Sequence, residues 1–507
     1  MSTKRNIVAN VGGRAWAASM SFLSTPFFIK FLGIEAYGLI GFYVSLLGIF
    51  LLLDMGLSTT ISRELARLSA SGDGRLKSRQ LLRSLEFIYW VIAIFLGLLL
   101  LVTAPSIASK WLNLGTLSLE TGVNAIRLMG LTILFRWPVA LYTGALMGLR
   151  RHDLLNIITA FVTTIQNVGA LLILWLVSPT IQTFFLWQTV ASALLVFLLA
   201  FSSWRLIPEA GHRPKFDKQV MATIFRFSAG VSFITLLSVI LMQLDKVVLS
   251  RILPLDSFGR YTLAFNIASL FTVVAGAVYG ALLPTFSHLA AEGRVDALAL
   301  LYHKSCQLLS LLMFPAGAAL IMFSEPLLGI YLQDSSIATH SHLILSLLTI
   351  GNLLLAIMMP PLALQLAYGW VRLSLIKNLI AVSLFVPLLI FMATRFQGLG
   401  AAVVWILLTV GYVLIEIPFM HRRLLPAEKW PWYLIDIGIP AALSIGIMGI
   451  ARAVLPAHLP PLPLVVGIGL FGIVTMIVSA LALPEIRAIL KIGYTRLGSY
   501  RLSGGLK

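Results

Sequence analysis

The sequence predicts an all-α, polytopic membrane protein with about fourteen transmembrane helices. Three observations predict this fold class: the composition, the length of the apolar runs and the placement of the basic residues. Of the 507 residues, 59% are hydrophobic and only 11% are charged, and the mean hydropathy is +0.96. Soluble domains carry about 25% charged residues. A soluble fold cannot bury this much apolar surface, whereas lipid solvates it directly.

Apolar runs of spanning length recur along the whole chain. A span needs about 20 mainly apolar residues, and prolines inside a span are tolerated in lipid. The predicted spans are residues 10–32, 38–62, 84–104, 122–147, 154–178, 182–203, 228–250, 258–285, 301–324, 341–366, 374–394, 398–420, 434–455 and 463–483. An even number of spans places both termini on the same side of the membrane.

The basic residues show which side that is. If the N-terminus lies in the cytoplasm, cytoplasmic segments hold 27 of the 37 Lys and Arg residues and the outer loops hold 6. This asymmetry follows the positive-inside rule, so we expect cytoplasmic N- and C-termini. The net charge of +18 is then largely a topology signal, and we expect no nucleic-acid partner. Lys4 and Arg5 precede no cleavage site, and we expect the first span to act as its own insertion signal.

An internal repeat divides the chain. A shift of 221 residues places Gly33–Gly38 over Pro254–Gly259, and a shift of 222 pairs Pro138 with Pro360. The offset covers six predicted spans, so the two copies have the same orientation and are related by an axis along the membrane normal. This predicts two six-helix lobes around a central cavity, followed by two C-terminal helices. The predicted domains are an N-terminal lobe over 1–210, a C-terminal lobe over 211–425, and the last two helices with a basic cytoplasmic tail over 426–507.

Cations at membrane depth are candidate functional residues because they are costly there. Arg136 lies near the middle of span 4, and the alternative is an interhelical partner for a buried carboxylate or carbonyl. Arg14 heads a polar stripe in span 1 and either lines a cavity or snorkels to the interface. Lys246 continues a polar face of span 7. Arg127 is a weaker candidate, since nine residues place it about 180° round the helix from Arg136. Guanidinium groups favour phosphate because they bind its oxygens bidentately.

Two carboxylates accompany these cations. Asp54 in span 2 either pairs with Arg14 or takes up a coupling proton or sodium ion, and pairing is the favoured interpretation. Asp245 precedes Lys246 directly, and because adjacent helix positions do not face each other, we expect separate partners for the two. Gln166 and Asn167, mid-span in span 5, are expected to form hydrogen bonds between helices.

Motifs for catalysis are missing from the sequence. There is no Walker A sequence, no HExxH motif and no GxSxG elbow. The single cysteine, Cys306, makes an Fe–S or zinc–thiolate centre implausible. The predicted outer loops are short, at most about twenty residues with boundaries uncertain by roughly 2–4 residues. We therefore expect a transporter without a cofactor or metal rather than an enzyme.

Several stretches in the first half carry a family resemblance. Asn6–Asn10 through Gly33–Gly38, followed by Leu53–Ser58 and Arg63–Arg67, resembles the polysaccharide-biosynthesis (Wzx-type) flippases of the multidrug/oligosaccharidyl-lipid/polysaccharide exporter superfamily. Pro138 and the stretch from Gly148 to Arg150 are similar to that family as well. The motifs are short and apolar, so the resemblance depends on their order along the chain.

The resemblance implies two six-helix bundles in a V around a central cavity. It implies a bacterial inner-membrane flippase that moves undecaprenyl-diphosphate-linked oligosaccharide repeat units to the periplasmic leaflet, for O-antigen, capsule or exopolysaccharide assembly. A cationic cavity is implied too, with Arg14, Arg136, Lys246 and Arg127 as candidates chosen by their positions. Coupling to a proton or sodium gradient, with Asp54 and Asp245 as candidate sites, is expected. Membrane lipids, a polysaccharide polymerase and its chain-length machinery are the expected partners.

Three alternatives remain open on the sequence. A lipid II flippase of the same superfamily shares the fold and the diphosphate chemistry. A multidrug exporter usually has twelve spans and acidic cavity residues, which fits the in-membrane cations of this chain less well. An O-antigen polymerase or ligase, which is an enzyme, is disfavoured by the short outer loops and by the parallel repeat.

Overall fold

The computed structural model describes residues 3–69, 74–207, 237, 239–456 and 459–491, except for the side chains of residues 3–11, 14 and 371. The described chain is helical throughout, and its described residues form no strand beyond an isolated bridge between Asn113 and Pro254. The prediction of an all-α fold is therefore confirmed. In lipid, a spanning helix satisfies its own backbone groups, which is why the apolar runs fold as helices.

The chain forms two compact units. One comprises Met1–Thr262 and Asn378–Gly398, and the other Leu263–Lys377 and Leu399–Lys507. The helices in chain order are α1 (Thr3–Leu32), α2 (Ile34–Phe50), α3 (Leu57–Ser69), α4 (Gly74–Ser106), α5 (Leu119–Arg136), α6 (Val139–Gly148), α7 (His152–Leu176), α8 (Ile181–Leu206), α9 (239–252), α10 (Leu255–Ala291), α11 (Val295–Met322), α12 (Ser324–Leu332), α13 (Ser335–Ile357), α14 (Met359–Ala367), α15 (Val371–Gly411), α16 (Ile417–Arg423), α17 (Lys429–Pro431), α18 (Ile439–Val454) and α19 (Pro461–Ala482). The predicted division at residues 210 and 425 stays a prediction.

Short polar side chains begin several of these helices. Ser118 accepts a hydrogen bond from the backbone N–H of Thr121 at the start of α5, and Thr180 does the same for Thr183 at the start of α8. Asp334 accepts from Ile337 at the start of α13. Each side chain satisfies one of the amide groups that a helix leaves without an internal partner at its first turn.

The described part of the chain contains 11 helical stretches that are long and apolar enough to cross a membrane. One of them, Arg372–Arg423, covers both predicted spans 374–394 and 398–420. Within it Gln397 leaves the helical conformation, at φ 53° and ψ −137°. A left-handed backbone at a residue other than glycine is costly, so Gln397 marks a real interruption between two helical segments.

Two predicted spans are not among those stretches. Helix α1 covers the predicted span 10–32, but it also carries the polar N-terminal residues. The predicted span 228–250 lies outside the described residues up to residue 236, and α9 covers its second half. The count of fourteen therefore stays a prediction, while the multi-pass architecture follows from the 11 stretches.

Three predicted spans are wrong as single helices. The span 38–62 is interrupted after a 3-10 turn (Leu51–Asp54), where Met55 and Gly56 have φ of 46° and 74°. The spans 122–147 and 341–366 break between α5 and α6 and between α13 and α14. The physical reason in the last two is proline, since Pro138 and Pro360 cannot donate a helical hydrogen bond. These two prolines are the pair aligned by the internal repeat.

A reciprocal glycine contact supports the repeat within the first unit. Helices α2 and α10 begin at Ile34 and Leu255, which are equivalent positions. Gly38 lies against the carbonyl oxygen of Leu255, and Gly259, its repeat equivalent, lies against that of Ile34. Glycine is required at both positions because a Cβ atom would occupy the space of the neighbouring backbone. The start of each helix therefore packs on the same point of the other.

We expect Gly38→Ala to destabilise the protein by about 1–3 kcal/mol, because the new methyl group has to push the start of α10 away. Gly276→Ala is the matched control, since no atom lies within 4 Å of a Cβ built at Gly276 in α10. The midpoint of thermal unfolding of the purified protein in detergent should fall for the first variant and hold or rise for the second. Equal midpoints would refute the close contact.

Candidate functional site

Two helix breaks meet in the first unit. The indole N–H of Trp137, at the break between α5 and α6, donates to the carbonyl oxygen of Phe50 at the end of α2, with a distance of 3.0 Å. The ring of Tyr89 from α4 packs on Trp137, with centroids 4.7 Å apart. Trp137 is buried, and a buried donor without a partner costs about 1–3 kcal/mol. Trp137 therefore stabilises the point at which α2 ends.

Asp54 lies at this junction and is buried. The hydroxyl of Tyr89 donates to one of its carboxylate oxygens, and the hydroxyl of Ser58 donates to the other at 2.8 Å. The carboxylate also lies at the start of α3, where the helix dipole favours a negative charge. The hydrogen-bond donors that the structure describes for Asp54 are thus Tyr89 and Ser58. The side chain of Arg14 lies outside the described residues, so the predicted pairing with Arg14 stays a prediction.

Arg136 is the last residue of α5 and is half-buried, within the candidate span Leu119–Gly148. None of the ion pairs found in the described ranges includes it. The alternative interpretation, in which Arg136 neutralises a buried carboxylate, therefore finds no support among the described side chains. The prediction that Arg136 lines a cavity stays a prediction.

Arg127 lies two and a half turns before Arg136 in the same helix. Its side chain is exposed, whereas that of Arg136 is half-buried. This difference agrees with the predicted orientation of the two residues on opposite faces of α5. Arg127 is therefore not brought together with Arg136.

Asp245 and Lys246 pair with each other, in contrast to the prediction of separate partners. The ammonium group of Lys246 lies 3.3 Å from the carboxylate of Asp245 and donates to the carbonyl oxygen of Met242 at 3.0 Å. Asp245 also accepts from the hydroxyl of Tyr261 at 2.7 Å. The expectation of separate partners for the two was wrong because the long lysine side chain folds back along its own helix. The buried charge of Lys246 is thus offset by its neighbour.

A polar cluster around Glu86 was missed by the sequence reasoning. Glu86 of α4 accepts hydrogen bonds from Tyr142 of α6 at 2.6 Å and from Trp204 of α8 at 3.1 Å. It also pairs with Arg83 at 2.8 Å. The signal in the sequence was a single acid following four basic residues at the start of α4. Glu86 ties three helices together at one end of the first unit.

A second missed cluster lies in the second unit, around His303 of α11. Its Nδ1 is 2.5 Å from a carboxylate oxygen of Asp436, and its Nε2 is 3.0 Å from Glu428. Gln307 donates to the other oxygen of Asp436 at 2.8 Å. Both ring nitrogens face carboxylates, so this arrangement suits an imidazolium that donates from both sides. The cluster fastens α11 to the segment from Glu428 to Asp436.

Glu416 forms the third missed cluster, also in the second unit. It is buried and pairs with Lys377 of α15 at 2.8 Å, while Gln365 of α14 donates to its other oxygen at 2.8 Å. The carboxylates of these three clusters are thus engaged in ion pairs and hydrogen bonds. Among the described residues, no group of three His, Cys, Asp or Glu side chains could hold a metal ion.

The fold and these sites define a class: a multi-pass membrane protein whose buried acids have structural partners. Comparison with known proteins gives the family. Residues 3–290, more than half of the chain, match the polysaccharide biosynthesis protein family, and residues 231–392 match the MatE family. The chain belongs to the polysaccharide biosynthesis protein family, and the resemblance predicted from the sequence is confirmed.

Relatives by sequence carry transport names. A Shigella flexneri protein named as an O-antigen transporter is 21% identical over 408 residues, which cover 80% of this chain and 94% of that protein. The succinoglycan biosynthesis transport protein ExoT of Rhizobium meliloti is 23% identical over 334 residues, 64% of this chain and 61% of that protein. The chain is accordingly similar to membrane transporters.

Solved structures show the same fold at low sequence identity. The lipid II flippase MurJ in an inward closed conformation has a TM-score of 0.72 at 14% identity, covering 94% of this chain and 98% of that one. A multidrug resistance MATE family transporter in an inward-facing conformation has a TM-score of 0.65 at 14% identity, covering 81% and 96%. The chain therefore shares its fold with these two proteins.

The hydrogen bonds to Asp54 lead to a prediction for stability. Asp54→Ala removes the acceptor for two hydroxyl groups and should lower the free energy of unfolding by about 3 kcal/mol, whereas Asp54→Asn keeps an acceptor oxygen and should cost about 1 kcal/mol. Thermal unfolding of the purified variants measures both.

Glu64→Ala is the control for loss of an acid, because Glu64 pairs with an exposed Arg67, and exposed pairs contribute little. If Asp54→Ala unfolds at the same temperature as Glu64→Ala, the carboxylate of Asp54 does not stabilise the helix break.

Proposed function

We propose that this protein is a flippase for undecaprenyl-diphosphate-linked oligosaccharide repeat units. It moves them from the cytoplasmic to the periplasmic leaflet of a bacterial inner membrane, for assembly of a surface polysaccharide. Membership of the polysaccharide biosynthesis protein family supports the general role. The O-antigen transporter name of the Shigella flexneri relative supports the substrate class. Cytoplasmic termini are supported by the distribution of 27 basic residues against 6.

The observation that carries the proposal is Arg136. A cation within a membrane span is expensive unless it is paired or lines a water-accessible cavity. Arg136 has no ion-pair partner among the described side chains, and it is half-buried rather than enclosed. A diphosphate offers oxygens to which a guanidinium can donate two parallel hydrogen bonds. The diphosphate would bind there while the polyprenyl chain stays in lipid.

The other predicted cations contribute less to this site. Lys246 is paired with Asp245, so its charge is largely compensated before any ligand arrives. Arg127 is exposed on a different face of α5. Arg14, in α1, is the remaining candidate for a second contact to the ligand. We therefore assign the principal phosphate contact to Arg136.

Transport by alternating access needs an energy source, and a proton or sodium gradient is our proposal. Asp54 and Asp245 are the candidate coupling carboxylates, and each accepts a hydrogen bond from a tyrosine hydroxyl. Uptake of a proton by either carboxylate would weaken that bond, since a neutral acid is a poorer acceptor. Of the two, Asp54 is the better candidate because it lies beside the helix break.

Deletion of the gene in its host tests the function directly. We expect loss of the surface polysaccharide, with the undecaprenyl-diphosphate-linked repeat unit accumulating unpolymerised on the cytoplasmic leaflet. Quantification of lipid-linked saccharide and of surface polymer measures both. Repeat units that reach the periplasm without being polymerised or ligated would indicate an enzyme. Unchanged surface glycan with raised drug sensitivity would indicate a multidrug exporter, and accumulation of lipid II would indicate a flippase for that lipid.

Arg136→Ala should reduce flipping at least tenfold in the complemented deletion strain, because a charge-assisted phosphate contact is worth about 1.5–3 kcal/mol. Arg136→Lys should retain an intermediate rate, since an ammonium group keeps the charge and loses the bidentate geometry. Arg127→Ala is the matched control in the same helix and should flip normally. Normal flipping by both Arg136 variants, at normal expression, would show that this residue does not bind the substrate.

A further inference from the structure

Helix α4 presents one row of side chains that changes character along its length. The row follows every fourth residue, which places its members next to one another on the helix surface. From the start of α4 it reads Arg75, Arg79, Arg83, Phe87, Val91 and Phe95. Phe87 and Phe95 are 62% and 60% exposed. A cationic segment thus continues directly into an apolar one that faces away from the protein.

Helix α8 repeats this arrangement with the opposite chain direction. Its row ends Phe197, Phe201 and Arg205. The two phenylalanine rings stack with centroids 6.3 Å apart, and the guanidinium of Arg205 lies 6.0 Å from the ring of Phe201. Both rings are more than half exposed. Helix α8 therefore also places a cation next to an exposed apolar face.

The basic ends of the two rows lie at the same end of the first unit, because Trp204 of α8 contacts Arg79 and Glu86 of α4. The guanidinium of Arg79 lies over the ring of Trp204, 5.5 Å from its centroid. The indole N–H of Trp204 donates to Glu86 at 3.1 Å, and Glu86 pairs with Arg83. Stacking on Trp204 holds the planar guanidinium of Arg79 in place without neutralising its charge. The arginine is therefore pre-positioned for an anion.

Basic residues outnumber acidic ones among the described residues at this end of α4. Arg75, Lys77, Arg79 and Arg83 precede a single acid, Glu86, and the first turn of α4 carries no acidic residue. A helix N-terminus favours anions and disfavours cations. Arg75 and Lys77 lie in this first turn, so a bound anion would stabilise it. The positive-inside rule explains an excess of basic residues on this side, but not the stacked arginine or the two matching rows.

We propose that this two-helix surface, formed by Arg79, Arg83, Trp204 and Arg205 with the exposed faces below them, binds an anionic glycerophospholipid. The phosphodiester headgroup lies against Arg79 and Arg205, and its acyl chains lie along the apolar rows of α4 and α8. Charge complementarity selects the headgroup, and the exposed phenylalanines select a molecule with hydrocarbon below its phosphate. A free phosphate ion would gain nothing from the apolar rows. This site is independent of the proposed transport of diphosphate-linked saccharides.

Native mass spectrometry of the full-length protein tests the site, with phosphatidylglycerol and phosphatidylethanolamine of identical acyl chains as probes. We expect the unmodified protein to retain phosphatidylglycerol preferentially. The double variant Arg79→Gln/Arg205→Gln should bind it about 25-fold more weakly, since each basic residue near an anionic membrane surface contributes a factor of about five and two are lost. Binding of phosphatidylethanolamine should be the same in both proteins.

The control Lys110→Gln/Arg395→Gln removes the same net charge from exposed residues elsewhere and should leave phosphatidylglycerol binding unchanged. Arg79→Lys should weaken binding by a smaller factor, because the stacked planar group is lost and the charge is kept. Equal losses in the two double variants would overturn the site in favour of a general charge effect. Equal retention of both lipids by the unmodified protein, or retention of undecaprenyl diphosphate but not phosphatidylglycerol, would also overturn it.

Discussion

The hydrogen bond from Trp137 to the carbonyl of Phe50 is the interaction on which the first unit depends. Lipid offers no donors, so every interruption of a spanning helix must find one inside the protein. The chain interrupts two spans at one level, at Asp54–Gly56 and at Trp137–Pro138. The second break supplies an indole N–H that donates to the carbonyl oxygen at the end of α2, beside the first break. Two defects that would each be costly alone thereby stabilise one another.

Buried charge follows the same constraint. Asp54 has a tyrosine and a serine, Asp245 has Lys246 and a tyrosine, and Glu416 has a lysine and a glutamine. A buried charge is stable only when its hydrogen bonds are satisfied. Two of the predicted cations, Lys246 and Arg136, have described side chains that are at least half-buried. Lys246 is paired with Asp245, whereas Arg136 is in none of the ion pairs of the described residues. This exception is the reason why the proposed phosphate contact is assigned to Arg136.

The sequence predicts the helical class, the apolar runs and the repeat, because these depend on composition and on residues near one another in the chain. It does not predict the break at Met55–Gly56, since glycine in a membrane span usually stays helical.

Side-chain partners were predicted only in part. Gln166 forms a hydrogen bond to Gln188 in α8 as expected, but Asn167 forms one within its own helix. The cluster of His303 was beyond reach because its partners, Glu428 and Asp436, lie 125 and 133 residues away in sequence.

The two short helices beyond the breaks, α3 and α6, pack closely against one another. Gly144 and Gly148 of α6 lie against the backbone carbonyls of Ser58 and Ser62 of α3, so α6 cannot slide past α3 without a clash between backbones. Any displacement of this pair must therefore change the backbone at the two breaks. Asp54 is hydrogen-bonded to Tyr89 there, the ring of Tyr89 packs on Trp137, and α5 ends at Arg136. Under the proposed function, a ligand bound at Arg136 would shift this pair only by the difference in its binding free energy between two positions of the pair. Arg136 adjoins the break between α5 and α6, so a displacement of the pair changes the contacts of a ligand bound there. Arg127 lies two and a half turns away on α5 and adjoins no break.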